Sequence, residues 1–268
     1  MLKRLINLPG VAGLVDRLPG LSPDVRAEFD LWWERPSYGY GMHFAARLAY
    51  SLDIPRITVM EWGVVQGDGL MWMERIARTI FEHVGVGIDV VAFDTGRGLP
   101  EPVDYRDCPH IWDEGFYTTD ERRVRSLISD AELILGPMGP SIADYLARED
   151  AAPVGFIACN LDYYSLAIQA LNSVAASRTG VRLPRVMTLF DDLLFPERAC
   201  HNAWTGERLA IREFNETHDL MKIDKMHHLR WMRRAPAFWH EMVYVLHDFD
   251  HPLYTRLITP EGYEHRQL

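Results

Sequence analysis

The sequence predicts an α/β protein: a mostly parallel sheet with helices on both faces, and a helical cap ahead of it. Three observations predict this. From Ile57 onward, short β-branched apolar runs alternate with stretches of helical periodicity, the pattern of strands joined by right-handed helical crossovers. The first run, Ile57 to Trp62, is followed by glycines at 63, 67 and 69, and a helical pattern then opens at Leu70. The residues closing successive runs are acids, amides or glycine: Glu61, Asp94, Gly136, Asn160 with Asp162, and Asp191 with Asp192. In such sheets the ligand lies beyond the carboxyl ends of the strands, so these residues form the candidate rim.

Taken in order, residues 1–56 read as an N-terminal arm and helical cap, and 57–268 as the α/β domain. A helix is expected over Ser22 to Glu34 and stops at Arg35-Pro36, because the residue before proline avoids helical angles. A loop follows at Ser37 to Gly41, then a helix over about Met42 to Leu52. Strands are expected at 57–62, 88–94, 132–136, 153–159, 185–190 and 239–247. Helices are expected at 69–83, 120–129, 140–148, 164–177 and 206–219.

Composition narrows the function. A net charge of −10 argues against a nucleic-acid partner or an anionic membrane surface. Cys108, Cys159 and Cys200 are scattered and odd in number, as in a cytoplasmic protein with reduced thiols. Lys3 and Arg4 precede an apolar stretch that Pro9, Gly10 and Asp16 interrupt, so the start reads as an irregular arm rather than a signal peptide. No window is long and apolar enough for a membrane span.

The glycine turn after an apolar strand points to a nucleotide-type ligand, since glycine lets the backbone approach it closely. A phosphate-binding P-loop needs a Gly-Lys pair, and none is present. A dehydrogenase using Tyr-x-x-x-Lys is excluded because no lysine lies between residues 4 and 221. Glu61 would repel a pyrophosphate but suits a cationic ligand. S-adenosylmethionine is such a ligand, with a sulfonium, an ammonium and two ribose hydroxyls that Asp94 is placed to receive.

Here the chain resembles the class I methyltransferases. The residues that carry the likeness are Glu61-x-Gly63-x-x-x-Gly67-x-Gly69 and Phe93-Asp94-Thr95-x-x-Gly98-Leu99-Pro100. The second, with Asn160-Leu161-Asp162-Tyr163-Tyr164-Ser165 and Phe190-Asp191-Asp192, resembles the metal-dependent O-methyltransferases of macrolide and aminocoumarin sugar tailoring. The resemblance implies a Rossmann-like seven-stranded sheet and O-methylation of a hydroxyl on a small metabolite, a natural-product sugar among the options. It implies S-adenosylmethionine bound near Glu61, Gly63, Gly67, Gly69, Asp94, Thr95 and Met138, and a homodimer. It also implies Mg²⁺ held by Asn160, Asp191 and Asp192, with Asp162 or His201 as general base. Mg²⁺ favours hard oxygen ligands and can lower the pKa of a bound acceptor hydroxyl.

The chain departs from that pattern at Asn160, where an aspartate is usual, and in the Gly136 to Ser141 loop. These departures keep open a catalytically impaired binding or scaffold protein on the same fold, and another metal-assisted reaction. Tyr38, Tyr40 and Trp62 suit either a lid over the ligand or the core. His247-Asp248-x-Asp250-His251 carries metal-ligand chemistry, but neighbours in a strand face opposite sides.

Overall fold

The computed structural model describes residues 35–232 and 236–259. The helix expected over Ser22 to Glu34 lies outside the described residues. The first described helix, α1 (Pro36–Ser51), absorbs the expected Ser37 to Gly41 loop. Pro36 sits in its first turn, where the missing amide costs nothing and the fixed φ suits a helix. Gly41 serves packing, not a turn: a Cβ there would lie 2.4 Å from the Phe156 ring. Its absence lets α1 rest directly on the sheet.

Strands and helices then alternate as β1 (Arg56–Trp62), α2 (Asp68–Val84), β2 (Gly87–Asp94), α3 (Glu121–Leu127) and β3 (Glu132–Leu135). They continue as α4 (Met138–Leu146), β4 (Val154–Cys159), α5 (Tyr164–Ala176), β5 (Arg182–Phe190) and α6 (Gly206–Thr217). The last elements are β6 (Met221–Lys225), α7 (Leu229–Met232) and β7 (Val243–Asp248). The seven strands run in the order β3-β2-β1-β4-β5-β7-β6. β1 to β5 are mutually parallel, and β7 is antiparallel to both its neighbours.

Two expectations need correction. β6 is absent from the sequence reading because Met-Lys-Ile-Asp-Lys at a sheet edge buries only Ile223 well. The strand expected from residue 239 begins at Val243 instead, after a 3₁₀ turn over Phe238–Glu241. Elsewhere the drawn strands and helices match within a few residues.

Each face of the sheet has its own core. Met60 and Trp62 pack with residues of α4, α5 and α6, while Ile57 and Val59 pack with α1 and α2. This is the two-residue alternation of a strand buried on both sides. By the same parity Glu61 faces α1 and α2. The order of strands reverses between β1 and β4, so the switch-point crevice opens over their carboxyl ends. The backbones touch there: Asn160 N–H donates to the Trp62 carbonyl at 2.9 Å, and a Cβ on Gly63 would lie 2.0 Å from the Asn160 carbonyl oxygen.

Candidate active site

The turn after β1 is shaped by its glycines and braced by Asp94. Gly63 and Gly67 both have φ of +83°, which glycine adopts without strain. The Asp94 carboxylate accepts the Val64 N–H at 2.8 Å, the Val65 N–H at 3.4 Å and the Gly96 N–H at 2.7 Å. The residue read as a ribose acceptor therefore first ties the β1 and β2 loops together.

Glu61 is buried beside this turn. Tyr38 O–H donates to its Oε1 at 2.8 Å, and Oε2 has no hydrogen-bond partner. Tyr38 is thus a buried partner of the site, edge-on to Phe156. Gly69 makes room for the acid, because a Cβ at 69 would lie 1.8 Å from Glu61 Oε1. Burial pushes the Glu61 carboxyl up to about 7.

On the other side of the crevice the acids are linked through backbone amides. Asp162 N–H donates to Asp192 Oδ2 at 3.1 Å, and Asp192 N–H donates to Glu207 Oε2 at 3.1 Å. The Glu207 carboxylate is buried, with the Cys159 thiol beside it. Burial raises the Asp162 carboxyl to about 7 and the Glu207 carboxyl to about 8. Asp192 is raised well above the carboxylate range, by burial and then by Asp162 and Glu207. The sequence reading missed Glu207, which stands in the first turn of α6 where an acid ordinarily serves the helix dipole. Its burial was not readable from the helical period alone.

Two adjoining cavities occupy the crevice. The outer one, about 320 Å³, is lined by Tyr38, Glu61, Gly69, Asn160, Asp162 and Asp192 among others. The inner one, about 30 Å³, holds Gly63, Asp94, Thr95 and Met138. Val65, Tyr117, Asn160 and Asp162 line both. After burial, Asp162 and Asp192 are the groups that push the Tyr117 phenol up.

Three sequence candidates do not line either cavity. Gly67 caps α2 against Val124. Asp191 lies just outside, raised by burial and partly compensated by Arg35. His201 Nε2–H donates to the Phe195 carbonyl at 2.9 Å, and its ring packs on Trp112. That bond ties down a loop beside Gly206, where a Cβ would lie 3.4 Å from the Asp162 carbonyl oxygen and 3.9 Å from His201 Nδ1.

The donor chemistry beside the crevice suits a hard divalent ion. Among the described residues, however, no three His, Cys, Asp or Glu side chains converge on one point. An ion here would rely on the Asn160 carbonyl oxygen, one or two carboxylates and water, which is how Mg²⁺ is commonly held. The tail motif forms no site either: Asp248 pairs with buried Arg182 at 2.8 Å, while His247 meets the Tyr254 hydroxyl at 2.9 Å.

No protein-family model matches the chain, and no curated protein matches it in sequence. Among solved structures it is similar to a calicheamicin methyltransferase, at 18% identity and a TM-score of 0.54, over 92% of this chain and 89% of that one. This likeness establishes the fold: a Rossmann-like seven-stranded methyltransferase sheet. The same enzyme in its apo form, a TDP-rhamnose 3′-O-methyltransferase of calicheamicin biosynthesis, also matches (18% identity, 92% and 90% covered, TM-score 0.43). So does an O-methyltransferase from Bacillus cereus in complex with SAH (12% identity, 76% and 78% covered, TM-score 0.38).

Proposed function

We propose that this protein is an S-adenosylmethionine-dependent O-methyltransferase acting on a hydroxyl of a small metabolite, with a natural-product sugar as the leading acceptor class. The observation that carries the reading is the state of the strand-end amides. Those of Val64, Val65 and Gly96 are taken by Asp94, that of Asp162 by Asp192, and that of Asp192 by Glu207. A nucleotide phosphate would need such amides free. The same crevice presents Glu61 with an unpartnered oxygen, which suits the ammonium of a phosphate-free cofactor.

When bound, the cofactor supplies an electrophilic methyl group on its sulfonium. Asp162 is the chain's best general base: it lines both cavities, and a carboxyl near 7 suits proton abstraction at neutral pH. It takes the hydroxyl proton as the oxygen–methyl bond forms and the carbon–sulfur bond breaks. Asp192, held by Glu207, fixes the Asp162 backbone, and the enclosing walls align acceptor and methyl group. A divalent ion on Asn160 and Asp192 would polarise the acceptor hydroxyl. The same proposal takes a cytoplasmic homodimer as the working form, checked by light scattering of the full chain.

One observation favours a rival reading, a binding protein with impaired catalysis: the inner cavity is only about 30 Å³, far below an ordinary ligand site. Calorimetric titration with S-adenosylmethionine and S-adenosylhomocysteine, with and without Mg²⁺, separates the two. Micromolar binding is expected; failure to bind under either condition favours the rival.

A further inference from the structure

Tyr117 lies in the connection between β2 and α3, and its placement is enforced from several directions. Leu99 N–H donates to the Phe116 carbonyl and Gly115 N–H to the Leu99 carbonyl, both at 2.8 Å. Gly98 permits this two-rung ladder: its φ is +81°, and a Cβ there would lie 2.4 Å from the Phe116 carbonyl oxygen. The indole N–H of buried Trp112 donates to the Tyr117 hydroxyl at 3.3 Å. Tyr117 itself has a left-handed backbone with φ of +62°, and so does Val65, with φ of +49°. Such angles are uncommon for tyrosine and outlying for β-branched valine. Strain of this kind persists where surrounding structure enforces it, and it concentrates at binding sites and switch regions.

These two residues also line both the outer and the inner cavity. The inner volume, about 30 Å³, has room for about two waters. It nevertheless contains Asp94, Thr95 and Met138, so an adenosine-sized group fits against them only once a lining side chain moves. Of the shared lining residues, Asn160 and Asp162 are anchored to the sheet end, through Trp62 and Asp192. Tyr117 is half-exposed and held at its tip by one long hydrogen bond.

We propose that Tyr117 is a shutter between the two chambers. Its ring swings off the Trp112 indole to admit the cofactor, then returns over it to form one wall of the acceptor chamber. This imposes an order in which cofactor enters before acceptor. The proposal rests on the methyltransferase reading above.

The test is stopped-flow tryptophan fluorescence of the full chain mixed with S-adenosylhomocysteine. It compares wild type with Tyr117→Ala, Tyr117→Phe and Trp112→Phe, after thermal unfolding has shown each to be folded. A required conformational change slows association, so Tyr117→Ala should associate about tenfold faster or more. Tyr117→Phe, which loses only the hydrogen bond, should give a smaller increase that Trp112→Phe reproduces. Binding by Tyr117→Ala alone would also support the shutter. Equal association rates for wild type and Tyr117→Ala would overturn it and leave the cofactor reading intact. Absence of binding in both would overturn the two together.

Discussion

Two glutamates one helix apart show how differently the two ends of this sheet are built. Glu74, on α2 toward the amino ends of the strands, accepts the backbone amides of Ser129, Asp130 and Ala131 and has Arg78 at 3.7 Å. Glu61, at the carboxyl end of β1, is as deeply buried but has one hydrogen-bonded oxygen and one bare one. Their surroundings differ in the same way. A cavity of about 460 Å³ at the amino ends is lined by charges that neutralise one another: Arg56 with Asp89, Arg78 with Asp130 and Arg148 with Glu132. The carboxyl-end crevice instead gathers Glu61, Asp162, Asp192 and Glu207, all pushed up in pKa chiefly by burial. The larger cavity is thus electrostatically finished, whereas among the described residues lining the crevice only Arg35 opposes the buried acids. Function is better sought where buried polar groups are unsatisfied than where the volume is greatest.

This contrast can be broken by mutation. Glu74→Ala strands several amides at once and should cost about 3 kcal/mol or more of stability, given about 1–3 kcal/mol for each unsatisfied buried group. Urea unfolding measures it, and a loss near zero would erase the distinction. Glu61→Gln should act in the opposite direction and depend on pH. The folded carboxyl titrates at about 7 against a reference value of 4.5. Its favourable contribution is therefore full below the unfolded pKa and is lost as pH rises through the folded one. The variant should gain about 1–3 kcal/mol over wild type by pH 8, growing between those two pKa values and level above them. A difference independent of pH would contradict the burial of a titrating acid.

Asp94→Ala tests a residue with both roles. It should lose about 1–3 kcal/mol of stability from the freed loop amides and also weaken binding of S-adenosylhomocysteine. Weakened binding without any stability loss would show that the brace is unimportant. The smallest effect is expected at the amino end, where Arg148→Ala removes an exposed ion pair with Glu132 and should cost about 0–1 kcal/mol.

Much of this was legible in the sequence, for identifiable reasons. The β-branched run at Ile57, the alternation that follows and the acids at strand ends report directly on a buried parallel sheet and its rim. The helix at Pro36–Ser51 escapes the sequence because Gly39 and Gly41 signal a turn, although Gly41 in fact permits close packing on Phe156. β6 escaped notice because an edge strand needs little apolar surface. Gly69 looked like a residue for ligand approach, and it accommodates Glu61. Glu207 and Tyr117 were invisible for a shared reason. Each reaches the crevice through a loop or helix whose orientation only tertiary packing decides.

The central proposal is that the carboxyl-end rim receives the ammonium of a phosphate-free cofactor. Calorimetric titration at pH 8 of wild type and Glu61→Gln with S-adenosylhomocysteine, and of wild type with NAD⁺ and ATP, tests it most directly. Wild type should bind S-adenosylhomocysteine at micromolar affinity, Glu61→Gln clearly more weakly, and neither phosphate-bearing nucleotide should bind. Tighter binding of NAD⁺ or ATP than of S-adenosylhomocysteine, or an unchanged affinity in Glu61→Gln, would contradict it.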